Sequence, residues 1–497
     1  MLRFAFRQVE GAPVSINIAR AYLLGPNEEA IAGEIRLSDG QLECVPSIRR
    51  AVAVNLECEM KEMGRLSIST CLLEQRKEPY SLLLELARHR IKHFIAKCED
   101  WQIWDHPAAV DALAEWNEAR LLFTGALTTQ DRNQADDLSS RALIKGLQAS
   151  EKLAVAHSAV WLHRRFAVKG ASKMVLGVRV DPRVQPANTA DAAKTFDMIA
   201  LPLSWAKIER SPGKFDFSSI TPWFDWATKA GRTILAGPVI DLNPANVPSW
   251  IAAKRGDYSA LRDGIWNFSD AIGREFAGRT GMWNIASGMN DNDWWPLNLE
   301  QMVELSRRAV VGLRQTRKTV PTLLEIPRPF GHEVAVRPGA VTPRALVDAL
   351  VTDGIHIDCL MLQFVMGETS SGRLTRDLLE MSALLDAYRP LRKSIFVALG
   401  APSSVGDSTA GYWRTTWSTS SQAAWASRMF SIAMSKPHVG MVLWESLMDG
   451  DASQPTHGVL SGDRKAKPIL QTLVSLRRSL DAPIGAWKST ERNSAAK

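Results

Sequence analysis

Glu325 and Glu445 each stand at the end of an apolar, strand-like segment, Thr322–Ile326 and Gly440–Trp444. Two carboxyls facing one site can divide acid–base work. One gives a proton to a leaving oxygen while the other attacks or activates water. Asp241, Asn290, Asp291, Asp293, Glu368, Asp407, Asp449 and Asp451, with His332, Gln363 and His457, lie at or beyond the ends of similar segments. A plainer role is open to each carboxylate: pairing with Arg328, Arg337 or Arg414, or accepting from a ligand's hydroxyls. Metal chemistry has little support, because no HxH or HExxH pattern is present. Asp449-Gly450-Asp451 lacks the rest of a calcium loop. No G-x-S-x-G elbow marks a nucleophilic serine. The expectation is therefore no metal and no cofactor.

The chain has 17 Trp against 5 Tyr, and most of the Trp fall between positions 205 and 444. Flat indoles stack on apolar faces of sugar rings, and their N–H can donate to a hydroxyl. Trp205, Trp250, Trp295 and Trp444 fall near strand ends or in the loops beyond them. With Asp241 and Gln363 they form the candidate substrate-binding set. Trp223, Trp226, Trp266 and Trp425 fall on helical patterns and read as core.

These residues need elements to position them. From about Lys173 the chain repeats strand, loop and helix eight times. The expected strands are 174–180, 198–205, 233–241, 282–289, 322–326, 357–364, 394–400 and 440–444. Helical patterns span 223–229, 260–276, 299–317, 343–353, 374–388, 422–434 and 468–480, with a short one near 190–196. Continuously apolar strands suit a parallel sheet covered by helices, and eight such units are the signature of a (β/α)₈ TIM barrel, an α/β fold. No Gly-rich phosphate loop follows the first strand, which disfavours a doubly wound sheet. Before the barrel, residues 1–78 alternate like a small antiparallel β unit, with strands expected near 14–19, 30–37, 51–58 and 65–72. Residues 79–170 carry helical spacing, read as a long helical hairpin region. The barrel is assigned to 171–482 and a polar tail to 483–497.

The bulk numbers narrow the function classes. Hydrophobic residues make up 45% and charged residues 23%, as in a soluble protein with a substantial core. The net charge of +7 is spread thinly, with no run of five like charges, so nucleic-acid binding is not expected. Five cysteines without a CxxC pair fit buried thiols better than disulfides or zinc. No apolar run is long enough to span a bilayer, and the N-terminal residues lack a secretory apolar stretch. The expectation is a cytoplasmic protein with no membrane partner. Homo-oligomerisation through the helical hairpin is a further expectation.

Several segments, in order, resemble the clan A glycoside hydrolases and their family-10 endo-1,4-beta-xylanases. Leu203-Ser204-Trp205-Ala206-Lys207-Ile208-Glu209, followed by Pro212-Gly213-Lys214-Phe215-Asp216-Phe217, is similar to the second-strand loop. Pro248-Ser249-Trp250 is similar to the third, and Trp283-Asn284-Ile285-Ala286-Ser287-Gly288-Met289 to the family's "WDVVNEA". Ile357-Asp358-Cys359-Leu360-Met361-Leu362-Gln363, Val397-Ala398-Leu399-Gly400-Ala401-Pro402, Val442-Leu443-Trp444 and Lys467-Pro468 continue the series. The resemblance covers about residues 171–482. It implies a β-1,4-linked oligo- or polysaccharide, xylan-like, as substrate.

The departures fall on the chemistry. Gly288 stands at the acid position and Ala398 at the nucleophile position; Pro238 and Val365 stand at two histidine positions. Two readings follow. In the first, the chain is an O-glycosyl hydrolase with relocated catalytic carboxylates, Glu445 and Glu325, and Glu445→Gln abolishes turnover. In the second, it is a pseudo-glycosidase that binds a glycan or serves as a scaffold.

Overall fold

The computed structural model describes residues 1–5, 12–38, 40–167, 174–317, 319–367, 373–405, 411–450 and 454–481. Glu368, Asp407, Asp451 and the tail 483–497 lie outside them. Eight parallel strands close into a (β/α)₈ barrel: Val175–Arg179, Met198–Leu201, Thr233–Ala236, Met282–Ser287, Thr322–Ile326, Cys359–Val365, Ser394–Gly400 and Val439–Trp444. The eighth strand closes on the first, with Leu443 opposite Gly177. The second and third strands end earlier than the sequence pattern suggests, at Leu201 and Ala236. Pro202 and Pro238 lie just beyond, and proline has no N–H for the ladder.

The outer helices start where capping chemistry allows. Asn298 and Gln301 cap Leu299–Leu313 reciprocally, and Ser418 with Ser421 does the same for Thr419–Ser435. Thr342 caps Pro343–Thr352, with proline at its first position. The sixth-gap helix, expected from Leu374, begins at Leu378 because Asp377 takes the Leu379 and Glu380 amides. The remaining outer helices are Thr221–Ala230, Tyr258–Phe276 and Pro468–Asp481, with Ala190–Ala193 as a single turn in the first gap.

Side chains alternate across each strand. Met198, Ala200, Leu235, Met282, Leu323, Cys359, Met361, Phe396, Ala398, Met441 and Leu443 form one apolar cluster inside the barrel, apart from the main core. The opposite faces join the outer helices in that larger core.

Ahead of the barrel lie two small sheets. One pairs Val14–Leu24, Ala53–Met60 and Gly64–Ser69 antiparallel, with Ala30–Ile31 at an edge. The other joins Leu2–Ala5, Gly33–Ser38, Gln41–Pro46 and the short Tyr80–Ser81. The first sheet also takes in Tyr412–Trp413, from the loop after the seventh barrel strand, which pairs antiparallel with Arg65 and Gly64. Helices Leu82–Asp100, Val110–Thr128 and Arg132–Ala167 pack together. The third of them lies against barrel helices Leu378–Tyr388 and Thr419–Ser435.

That seam is polar, and its Arg90–Asp377 pair is sealed from solvent. Arg90 pairs with Asp377 at 2.9 Å, with side chains 2% and 0% exposed. Glu151 accepts from Trp413 Nε1 at 2.6 Å and from Arg414 at 2.8 Å. Arg165 donates to the carbonyls of Met434 and Lys436 at the end of helix Thr419–Ser435, and to that of Val439, which opens the eighth barrel strand. No helix of the described residues is long and apolar enough to cross a membrane.

Candidate functional site at the barrel mouth

The inward alternation continues one step past the apolar interior and turns polar. Asn284 lies two residues after Met282, Glu325 two after Leu323, Gln363 two after Met361, and Glu445 two after Leu443. Arg179 ends the first strand with the same parity. These five side chains form one network. Arg179 Nε donates to Glu445 Oε2 at 2.7 Å, and its Nη2 donates to Glu445 Oε1 at 3.3 Å. The same Nη2 donates to Glu325 Oε1, which also accepts from Gln363 Nε2. Asn284 Nδ2 donates to Glu325 Oε2. Arg373 then holds Gln363 by donating to Oε1 at 2.9 Å. The two sequence-predicted glutamates are therefore brought together, joined by one guanidinium. Burial works against the Arg179 charge, but Glu325 and Glu445 outweigh it and raise its pKa further.

The other candidates surround this centre. Asp241 accepts from the Asn243 amide at 2.9 Å and from Asn246 Nδ2 at 2.7 Å. It has no ion-pair partner among the described residues, and burial raises its carboxyl pKa against those two donors. Asp291 and Asp293 belong to a separate network in the loops after the fourth and fifth strands. Asp291 pairs with Arg328 at 2.5 Å, Arg328 with Glu333 at 3.0 Å, Glu333 with Arg337 at 3.1 Å, and Arg337 with Asp293 at 3.2 Å. Asn290 Nδ2 donates to Asp291, and His332 lies against Glu333. Asp449 accepts from Lys467 at 2.6 Å, and buried His457 meets the Met366 carbonyl at 3.1 Å.

The tryptophans divide by burial. Trp205 stacks on Phe268 at 5.6 Å and donates to Glu209 at 2.7 Å. Its ring lies so close to Gly264 that a Cβ there would meet it at 2.9 Å. Trp295 is buried beside Trp294, and Trp444 is buried against Trp425 and Phe430 beneath helix Thr419–Ser435. Trp250 is half-buried, edge-on to Trp205, and donates to the Glu209 carbonyl at 3.1 Å. Of the four candidates, only Trp250 keeps part of its surface open.

The family-motif positions have local reasons to lack carboxylates. Gly288 has φ +63°, the left-handed region that penalises any side chain, and a Cβ would meet Asp291 Oδ2 at 3.3 Å. Ala398 is fully buried in the apolar barrel interior. Pro238 and Val365 are buried as well.

A cavity of about 260 Å³ opens beside the network, between the first, second and eighth strand ends. Arg179, Asp181, Lys207, Asn246, Glu445 and Gln454 contribute its polar wall, and among the described residues no aromatic side chain lines it. Among the described residues no group of three or more His, Cys, Asp or Glu is arranged to hold a metal, and all five cysteines are buried and unbridged. Sequence reasoning missed Arg179 and Arg373 as site residues. A signal for Arg179 existed: a single basic residue in the apolar run Val175–Val180, two positions after Gly177.

No family model matches the chain, and no curated protein matches it. Solved structures of similar fold include xylanase 10B from Thermotoga petrophila in complex with xylobiose, at 11% identity, 64% of this chain, 96% of that chain and a TM-score of 0.47. Native xylanase 10B from Thermotoga maritima gives 11%, 64%, 98% and 0.48. The endo-1,4-beta-xylanase XylE of Penicillium canescens gives 17%, 65%, 97% and 0.47.

Proposed function

We infer that this barrel binds a small polyhydroxyl ligand of the sugar class at its mouth and does not hydrolyse it. The observation that carries the reading is Arg179, bonded to both Glu325 and Glu445. A glycosidase needs one carboxyl to hold a transferable proton and another free to attack or to activate water. Here the hydrogen bonds of both carboxylates in this network are accepted ones, from donors of Arg179, Asn284 and Gln363. The guanidinium also bridges the two carboxylates, so a substrate would have to displace it to reach both. The sugar class rests on the sequence resemblance and on a wall of amide, hydroxyl and charged groups suited to hydroxyls. A cavity of about 260 Å³ without an aromatic face supports a short ligand over a long polymer.

The test is reducing-end release on xylan, mixed-linkage glucan, mannan and short xylo-oligosaccharides, with calorimetric titration of the same oligosaccharides. The expected result is no release, saturable binding of a short saccharide, and about tenfold weaker binding in Glu445→Gln through loss of a charge-assisted acceptor. Release by the native chain that disappears in Glu445→Gln or Glu325→Gln would sink the reading and establish a hydrolase with relocated carboxylates.

A further inference from the structure

A second cavity, of about 500 Å³, lies where the N-terminal sheet, helix Leu82–Asp100, the loop after the fifth barrel strand and helix Leu378–Tyr388 meet. It shares no lining residue with the mouth cavity. Its volume falls in the range of small-molecule sites, roughly 300–1,000 Å³.

Arg376 lies in its wall, 2% exposed. The guanidinium sits 3.8 Å over the Phe330 ring and donates to the Tyr22 hydroxyl at 2.5 Å. Among the described residues it has no carboxylate partner. Two other buried guanidinium groups have theirs: Arg90 has Asp377, and Arg328 has Asp291 and Glu333. A buried cation is costly unless it is paired, and the space beside this one is open. Across the cavity, His89 and His93 lie edge-on with ring centroids 5.5 Å apart. His89 Nδ1 and His93 Nε2 are buried without a hydrogen-bond partner. Burial, with the nearby Arg90 charge, holds both rings at about 3, so they are neutral at physiological pH.

The wall also limits the ligand's charge. Glu380 lies 3.7 Å from His93, and the lining holds four more carboxylates, Glu28 among them, against the cations Lys92, Lys97, Arg344 and Arg376. With the acids outnumbering the cations by one, the wall has no positive surplus to neutralise a dianion, whereas a monoanion is matched by one planar guanidinium fork. Phe330, Tyr388 and Leu384 offer an apolar face beside it.

The geometry points to a binding site for a small organic monocarboxylate, its carboxylate on Arg376, its body on Phe330 and Tyr388, and a polar substituent toward His89 and His93. Calorimetric titration of the full chain with benzoate, indole-3-acetate and hexanoate tests this, with benzamide and phenyl phosphate as neutral and dianionic controls. The expected result is saturable binding of at least one carboxylate, with benzamide and phenyl phosphate about tenfold weaker or more. Arg376→Lys, which loses the planar fork, is expected to weaken binding by a similar factor. Ala383→Phe, which grows into the cavity from the sixth-gap helix, blocks it and serves if Arg376→Lys does not fold. Glu445→Gln leaves it unchanged. No saturable carboxylate binding by the folded chain overturns the proposal. So does equal binding of benzamide, tighter binding of phenyl phosphate, or unchanged binding in folded Ala383→Phe.

Discussion

The seam between the N-terminal helices and the barrel, and the mouth of the barrel, are built from the same groups. Each buries an arginine against carboxylates. At the seam, Arg90 and Asp377 are 2% and 0% exposed, sealed between two helices. At the mouth, Arg179 keeps 15% of its side chain open and lines a cavity with Glu445. Access is what separates the two roles. A sealed pair can be broken only by opening the seam, and losing one partner strands the other charge. An open cluster can admit water or a ligand when one partner changes, so its geometry is available for recognition.

This difference sets an order of effects. Asp377→Ala leaves Arg90 buried without its carboxylate and removes the cap of helix Leu378–Tyr388. The expected loss is about 3–5 kcal/mol for the stranded charge, with about 1 kcal/mol more for the cap. Urea unfolding measures it, and a loss below about 1 kcal/mol would show that water reaches Arg90. Glu445→Gln is the matched change at the mouth. Arg179 keeps Glu325, and the cavity lets solvent compensate, so the expected loss is about 1–3 kcal/mol. Equal losses at the two sites would break the comparison.

The same contrast explains what the sequence could reveal. The barrel was legible because buried parallel strands are continuously apolar, and helical spacing fills the gaps between them. Glu325 and Glu445 were legible as strand-terminal carboxylates. The guanidinium joining them was not, because its meaning lies in strand parity: Arg179 faces inward only because it follows Gly177 by two. Parity also separates Trp444 from Glu445. Adjacent strand residues point to opposite faces, and Trp444 lies under helix Thr419–Ser435 while Glu445 turns to the mouth. Aromatic abundance alone carries no such direction. The seam was least legible. Arg90 and Asp377 are 287 positions apart, and Tyr412–Trp413 joins a sheet whose other members end by Ser69. No local pattern marks a partner at that distance. The strands Leu2–Ala5 and Gln41–Pro46 were missed because each buries only two apolar side chains, Leu2 with Phe4 and Leu42 with Cys44, too few to set a period.

The smallest expected effect at neutral pH sharpens the comparison in acid. His157, on helix Arg132–Ala167, stacks on Trp101 at 4.0 Å at the seam. Burial, with Lys436 nearby, holds its pKa down to about 2. In the unfolded chain it titrates near its ordinary value of about 6.5. Between these values the unfolded chain binds a proton that the folded one refuses, so stability falls as pH drops below about 6.5. His89 and His93, held at about 3 on helix Leu82–Asp100, add to the same slope. His157→Phe keeps a ring against Trp101 and removes both the titration and an unpartnered Nδ1. Its effect at pH 7 is expected to stay within about 1 kcal/mol. In urea unfolding repeated toward about pH 4, the variant should lose less stability than the native chain. Parallel acid limbs would mean that the imidazole already takes up its proton in the folded seam. The seam would then be open to water, as the mouth is, and the distinction between clasp and site would fail at that point.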